Sequence, residues 1–121
     1  MSRRPRNVLI VEDDFALGDA FGMILSHSGY EVHHAHNGRE ALEYLESHLP
    51  DVVILDILMP VMDGREFLKN FKNDTHVPIV ALSNLDAKDD IEEVLSLGAS
   101  RYILKSSVTP ETLTKIIKEI I

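Results

Sequence analysis

Strand-like and helix-like patterns alternate along this chain, and the alternation restricts its fold more than any other feature. Continuous apolar runs at residues 7–11, 52–55 and 77–82 predict strands that are buried on both faces. The more polar run at 30–35 and the short run at 102–104 predict two further strands. Apolar residues at helical spacing follow each of the five runs. Five strand–helix units predict an α/β fold, with a parallel sheet covered by helices on both faces.

Local signals mark where the predicted helices begin and end. Gly29 is placed to close the first helix as a C-terminal cap. Asn37 with Glu40 three residues later resembles a capping box at the start of the second helix. Thr109 followed by Pro110 predicts the N-cap and first position of the last helix. These signals agree with the periodicity, so the five-unit pattern rests on two independent properties of the sequence.

Composition and charge narrow the class of protein. The chain has 121 residues, enough for one domain with its own core, and we expect a flexible tip at 1–6 and a single domain at 7–121. The net charge of −8 argues against direct nucleic-acid binding, which needs a basic surface. Without cysteine, the chain has no disulfide, thiolate metal site or cysteine nucleophile. The absence of a membrane-spanning run or signal peptide predicts a cytoplasmic protein that does not bind membranes.

Charged and hydroxyl side chains follow the predicted strands at the point where each strand ends. Asp56 ends the third strand, Glu12 and Asp13 follow the first, Ser83 ends the fourth, and Lys105 follows the fifth. Because parallel strands end at one edge of the sheet, these groups are expected to converge there. Two carboxylates about 4 Å apart repel each other by roughly 4 kcal/mol at an effective dielectric near 20. Oxygen ligands of this kind predict a Mg²⁺ site, with Mn²⁺ as the alternative.

Each of these residues also has a plainer interpretation. Asp14 is well placed to cap the following helix, and Asp63 with the next glycine is typical of a turn and helix start. Asp56 could be a turn residue ahead of Pro60, but it directly follows a buried strand. Ser83 alone indicates little, as many loops begin with serine. The prediction of a site therefore depends on the joint placement of these residues after successive strands.

These segments together resemble the receiver domains of bacterial two-component response regulators. The resemblance extends from residue 8 to residue 121 and is most specific in one stretch, residues 56–64, which reads Asp-Ile-Leu-Met-Pro-Val-Met-Asp-Gly. The acidic pair after the first strand, Leu82-Ser83, Gly98-Ala99 and the run ending at Lys105 add to it. The resemblance implies a flavodoxin-like, doubly wound five-stranded parallel sheet of order 2-1-3-4-5 with five helices.

The resemblance also implies a chemistry. Asp56 would be the phosphoacceptor, taking a phosphoryl group from a phosphohistidine on a sensor histidine kinase or phosphotransfer protein. Asp13, Asp56 and the backbone carbonyl of Leu58 would ligate Mg²⁺, with Glu12 in the outer shell through water. Such a protein accepts a phosphoryl group and is not an enzyme beyond slow self-dephosphorylation.

The remaining implied roles concern the response to phosphorylation. Lys105 would pair with the phosphoryl oxygens, and Ser83 would donate its hydroxyl to them. Tyr102 would be the switch aromatic that moves inward as Ser83 moves toward the phosphoryl group. A surface made of the fourth helix, fifth strand and fifth helix would then contact a downstream protein target or a second copy of the chain.

Two positions depart from the family's pattern. Ser106 follows Lys105, where family members usually have a proline in a cis peptide bond. A cis bond without proline costs about 2.5–4 kcal/mol, so the loop is either strained or rearranged. Asn84 follows Ser83, where the family usually has a small residue. Its amide could crowd the pocket or hydrogen-bond near the phosphoryl group, and both departures could change the lifetime of the phosphorylated state.

Other interpretations are weaker. His34 and His36 share one face of the second strand, but no acid or cysteine completes a metal ligand set, which favours ordinary exposed histidines. An interaction protein of the same fold that does not depend on phosphorylation is a second hypothesis, opposed by the intact acidic pocket. A Mg²⁺-dependent phosphohydrolase is a third, opposed by the lack of a substrate-binding cap or second general acid.

Overall fold

The computed structural model describes residues 6–121, so most of the predicted N-terminal tip, residues 1–5, lies outside the described residues. Five strands are present: β1 (Asn7–Val11), β2 (Glu31–Ala35), β3 (Val52–Asp56), β4 (Ile79–Ser83) and β5 (Arg101–Leu104). The helices that follow them are α1 (Phe15–His27), α2 (Gly38–Leu45), α3 (Gly64–Asn70), α4 (Lys88–Ser96) and α5 (Pro110–Ile120). A short 3₁₀ turn, Lys105–Ser107, lies between β5 and α5.

The strands form one parallel sheet in the order β2-β1-β3-β4-β5. This confirms the predicted doubly wound topology and places the polar second strand at an edge of the sheet. Val11 lies opposite Leu55, and Asp56 lies opposite Leu82, so β1, β3 and β4 end close together. The residues that follow these strands therefore start from one edge of the sheet.

Alternate residues of the central strands pack against opposite faces of the sheet. Leu9 and Val53 belong to a core cluster that includes Phe67 of α3 and Val94 of α4. Their neighbours Val8, Ile10 and Ile54 belong to a second cluster, completed by residues of α1 and α5. Burial on both faces explains why these strands are continuous apolar runs rather than alternating ones.

The helix starts follow the predicted capping chemistry. Asp14, Asn37, Asp63 and Thr109 each accept a hydrogen bond from a backbone N–H in the first turn of the helix that follows. The capping box predicted at Asn37 is incomplete, because the Glu40 carboxylate accepts from the His36 N–H instead of the Asn37 N–H. The helix still begins where predicted.

Among the described residues 6–121, none of the helices has both the length and the apolar character needed to cross a lipid bilayer.

Candidate functional site

Three carboxylates meet at the carboxyl edge of the sheet. One oxygen from each of Glu12, Asp13 and Asp56 lies within 4.8 Å of the other two. Glu12 is 1% exposed and Asp56 is 3% exposed, whereas Asp13 is half-buried. Because water reaches two of these carboxylates so poorly, a neighbouring positive charge is needed to stabilise them when they are ionised.

Lys105 supplies such a charge. Its Nζ lies 2.8 Å from Glu12 Oε1 and 3.2 Å from Asp56 Oδ2. Glu12 Oε1 makes no hydrogen bond of regular geometry. Its contact with Lys105 is therefore a close ion pair whose angles do not meet those of a hydrogen bond. The lysine begins the 3₁₀ turn after β5, which explains how a residue so distant in sequence reaches the ends of β1 and β3.

The environment shifts the pKa of both partners. Burial above all, together with the charge and hydrogen bond of Glu12, raises the pKa of Asp56 to about 7, although Lys105 acts in the opposite direction. Burial alone would lower the pKa of Lys105, but its interactions with Glu12 and Asp56 outweigh burial and raise it. Near neutral pH, Asp56 therefore sits at its titration point in the metal-free protein.

This shift predicts how stability changes with pH in the metal-free protein. A carboxyl whose folded pKa is raised from 3.8 to about 7 favours folding when protonated, so its contribution is lost as pH rises through this window. The difference in unfolding free energy between Asp56→Asn and wild type should therefore shift in favour of the variant by about 1–3 kcal/mol from pH 4 to pH 8, after allowance for solvent screening. Urea denaturation in EDTA at both pH values measures the difference.

Asp63→Asn is the matched control, since asparagine caps a helix as well as aspartate does. The stability change of this variant over the same pH range is the reference for Asp56→Asn. A change for Asp56→Asn no larger than that of the control would contradict the raised pKa of Asp56.

A histidine side chain contacts the loop that carries Glu12, and it is less exposed than the sequence predicted. His34 was expected to be exposed, but its side chain is only 15% exposed and its Nε2 lies 2.8 Å from the Glu12 carbonyl oxygen. Since a carbonyl only accepts, Nε2 carries the proton in this contact. The ring occupies space that a Cβ on Gly18 would fill, at 2.0 Å from His34 Cε1.

Glycine is also required where the chain turns back toward Asp56. A Cβ on Gly64 would lie 2.7 Å from the Ile57 Cα, and the Gly64 N–H donates to the Ile57 carbonyl at 2.8 Å. The loop after β3, which contains Leu58, is thereby folded against the end of the strand. The close approach explains why glycine follows Asp63.

Ser83 and Tyr102 are connected through one residue of the loop after β4. Ser83 is 1% exposed, and its Oγ accepts a hydrogen bond from the Leu85 N–H at 3.1 Å. The Tyr102 hydroxyl donates to the Leu85 carbonyl at 2.7 Å. Because Oγ is used as an acceptor, the serine hydroxyl still has its own proton to donate to a ligand.

The loop after Lys105 is rearranged rather than built on a cis bond. Every peptide bond among residues 6–121 is trans, and Lys105–Ser107 forms a 3₁₀ turn. The Ser106 N–H donates to Asn84 Oδ1 at 3.1 Å. The two positions that depart from the family's pattern therefore contact each other.

The donor set fits magnesium. The three converging carboxylates are hard oxygen donors, and the group includes no nitrogen or sulfur ligand. The charge of three carboxylates also exceeds the single positive charge of Lys105, which a divalent cation would offset.

Comparisons with known proteins agree with the fold. The family described as response regulator receiver domain matches residues 8–118. The chain is similar to the Vibrio cholerae chemotaxis protein CheY4, at 32% identity and a TM-score of 0.90, over 98% of this chain and 100% of that one. It is also similar to a CheY-like receiver domain protein from Methanospirillum hungatei JF-1, at 32% identity and a TM-score of 0.89, over 96% and 93% of the two chains.

A third solved structure belongs to a different kind of parent protein. The receiver domain of a signal transduction histidine kinase from Syntrophus aciditrophicus is 31% identical, with a TM-score of 0.85, over 95% of this chain and 89% of that one. The chain thus belongs to the receiver domains of two-component response regulators, which implies phosphorelay signalling. Receiver domains bind Mg²⁺ and accept phosphoryl groups rather than act as ordinary enzymes, and they interact with histidine kinases or phosphotransfer proteins and with downstream targets.

Proposed function

We propose that Asp56 accepts a phosphoryl group in a Mg²⁺-dependent reaction. The observation that carries this proposal is the position of Asp56: a buried carboxylate at the end of a central strand, beside two other acids and 3.2 Å from an ammonium group. Buried acids held together in this way are costly for stability alone, and their placement is typical of a site that binds cations and phosphoryl groups.

The proposed donor is a phosphohistidine on a sensor histidine kinase or phosphotransfer protein. An Asp56 oxygen attacks phosphorus, the phosphorus–nitrogen bond of the donor breaks, and the imidazole nitrogen leaves with the electron pair. Such transfer depends mainly on positioning and on neutralising charge. Lys105 already contacts both Glu12 and Asp56, so its ammonium group lies beside the attacking carboxylate, where it would neutralise charge on the incoming phosphoryl oxygens.

Asp13, Asp56 and the Leu58 backbone carbonyl are the proposed inner ligands of Mg²⁺, with Glu12 acting through water. When bound, the ion supplies positive charge that offsets the carboxylates and the phosphoryl oxygens. Glu12 is also held by the Asp14 N–H, which donates to Glu12 Oε2 at 3.2 Å, so its carboxylate is oriented before any ligand arrives.

The phosphoryl group brings about −1.5 to −2 charge and new acceptor oxygens to the site. Ser83 and Lys105 are the proposed donors to those oxygens, and Ser83 with Tyr102 forms the proposed switch. The shared contact with Leu85 supports this pairing, because a shift of Ser83 changes the position of the carbonyl that Tyr102 binds. The readout surface is then α4, β5 and α5, which would meet a downstream protein or a second copy.

The unit that does this is residues 7–121, with residues 1–6 as a separate tip, and we place it in the cytoplasm. Direct contact with nucleic acid or with a membrane is not part of the proposal. Self-dephosphorylation is expected to be slow, as membership of the receiver-domain family implies.

Metal dependence tests the proposal. We expect acetyl phosphate with Mg²⁺ to add one phosphoryl group to the wild-type protein and to add none in EDTA. Asp13→Asn removes a charged ligand and should weaken Mg²⁺ binding at least about tenfold. Asp14→Asn removes the same charge one residue away while keeping the helix cap, and should bind as wild type does.

Intact-mass spectrometry measures the labelling, and isothermal titration calorimetry measures the Mg²⁺ affinity. Equal labelling in EDTA, or equal weakening in both variants, would refute the metal role.

A further inference from the structure

Two loops carry the groups that would hold the phosphoryl oxygens, and one hydrogen bond joins them. Ser83 ends β4 and is followed by Asn84, while Lys105 follows β5 and precedes Ser106. Asn84 Oδ1 accepts from the Ser106 N–H at 3.1 Å. The residue next to one proposed phosphoryl ligand is thus bonded to the residue next to the other.

We propose that Asn84 is a positioning residue that acts through the Ser106 N–H. It holds the turn that carries Lys105 against the loop that carries Ser83, and so raises the rate at which Asp56 takes up a phosphoryl group. This inference rests on the proposed phosphoryl transfer to Asp56, and it assigns a role to a residue outside the proposed metal and phosphoryl ligands.

The pair is chemically matched. Proline has no N–H, so a proline at position 106 would leave the Asn84 oxygen without this donor. With serine at position 106 the N–H is present, and the Asn84 oxygen accepts from it in place of water. The far side of the turn is closed by the Val108 N–H, which donates to the Lys105 carbonyl at 3.3 Å. The turn is therefore fixed by one bond within itself and one bond to the neighbouring loop.

The neighbouring loop offers a firm point of attachment. The Leu85 N–H binds Ser83 Oγ, and the Leu85 carbonyl accepts from the Tyr102 hydroxyl. Asn84 lies between these contacts, so its backbone is held on both sides. The Lys105 ammonium must in turn stay within reach of Asp56, now 3.2 Å away, for the reaction to proceed.

The competing interpretation is that the bond is an ordinary surface contact. Asn84 and Ser106 are both exposed, and water could replace either partner. On that view the loop geometry is set entirely by β5 and the 3₁₀ turn, and removing the Asn84 amide would leave the labelling rate unchanged. A double-mutant cycle separates the two interpretations.

The cycle uses two backgrounds at position 106. Ser106→Ala keeps the backbone N–H, whereas Ser106→Pro removes it. We expect Asn84→Ala to slow labelling by acetyl phosphate and Mg²⁺ about three- to tenfold in wild type and in Ser106→Ala, the factor that corresponds to one ordinary hydrogen bond. In Ser106→Pro, Asn84→Ala should change the rate by less than about twofold, because the bond is already absent.

Two further readouts separate positioning from general destabilisation. The maximal labelling rate should fall while the half-saturating acetyl phosphate concentration stays at its wild-type value, and thermal denaturation should show the variant fully folded at the assay temperature. In the unphosphorylated protein, NMR should show faster amide hydrogen exchange at Ser106 in Asn84→Ala than in wild type.

An unchanged labelling rate in Asn84→Ala, or an equal slowing in the Ser106→Pro background, would overturn the inference. Failure of the wild type to label at all is a different outcome, because it refutes phosphoryl transfer to Asp56. The exchange measurement requires no phosphorylation, so it tests the contact in either case.

Discussion

The Asp56→Asn variant is expected to take up no measurable phosphoryl group from acetyl phosphate and Mg²⁺, a reduction of at least about 10³-fold in rate. The reason is chemical: a neutral amide is a very poor nucleophile toward phosphorus, while the geometry of the side chain is kept. Intact-mass spectrometry over a time course gives the rate, and peptide mapping of the wild type should place the group on Asp56.

Unfolding cannot account for this loss. Asn removes a buried charge from beside Glu12 and Asp13, so the variant is expected to be at least as stable as the wild type. Asp63→Asn serves as the matched control, because it removes the same charge from the aspartate at the far end of the loop that follows Asp56 and preserves the helix cap. Labelling of Asp56→Asn at the wild-type rate would mean that another side chain is the acceptor.

The sequence was sufficient for the architecture because strand and helix patterns are local. Runs such as 52–55 are apolar on both faces, and the structure buries both faces of β3. The predicted convergence of Asp56, Asp13 and Lys105 followed from topology alone: parallel strands end at one edge. Their meeting in the structure supports that step, although the role of each residue stays a prediction.

The features that the sequence analysis missed depend on contacts between distant segments. His34 is only partly exposed because Gly18, on a different element, leaves room for its ring, and periodicity within β2 carries no information about that space. The contact of Asn84 with Ser106 joins two positions that were flagged separately as departures. The sequence did contain a signal for this contact. Two residues that depart from the family's pattern each directly follow a proposed phosphoryl ligand, which is a reason to ask whether they bond to each other.

The fold brings together more negative than positive charge at this site. Three acids face one lysine, whose Nζ lies 2.8 Å from the buried Glu12 and 3.2 Å from Asp56. The metal-free protein tolerates this arrangement partly by binding a proton near Asp56, whose pKa is raised to about 7. A cation or a phosphoryl group that enters the site therefore changes a balance that is already close to its titration point.

Lys105 is the single positive contribution that the described residues make to that balance, and removing it gives the second large expected effect. In EDTA at pH 8 we expect Lys105→Met to lower the unfolding free energy by about 2–4 kcal/mol, because two buried carboxylates lose the cation that contacts both. Methionine keeps much of the apolar stem, so lost packing contributes little. Urea denaturation followed by circular dichroism measures the change.

The pH dependence identifies electrostatics as the cause. Lys105 lowers the pKa of Asp56, so its loss raises that pKa further, and an acid with a raised folded pKa loses stability as pH increases. The deficit of Lys105→Met should therefore shrink toward pH 5, where Asp56 is protonated, and saturating Mg²⁺ at pH 8 should restore part of it. Lys88→Met is the control: its side chain is 85% exposed, and its loss should stay within about 0.5 kcal/mol at every pH. A deficit for Lys105→Met that is the same at pH 5 and pH 8 would mean that the lysine stabilises the fold through packing and not through its charge.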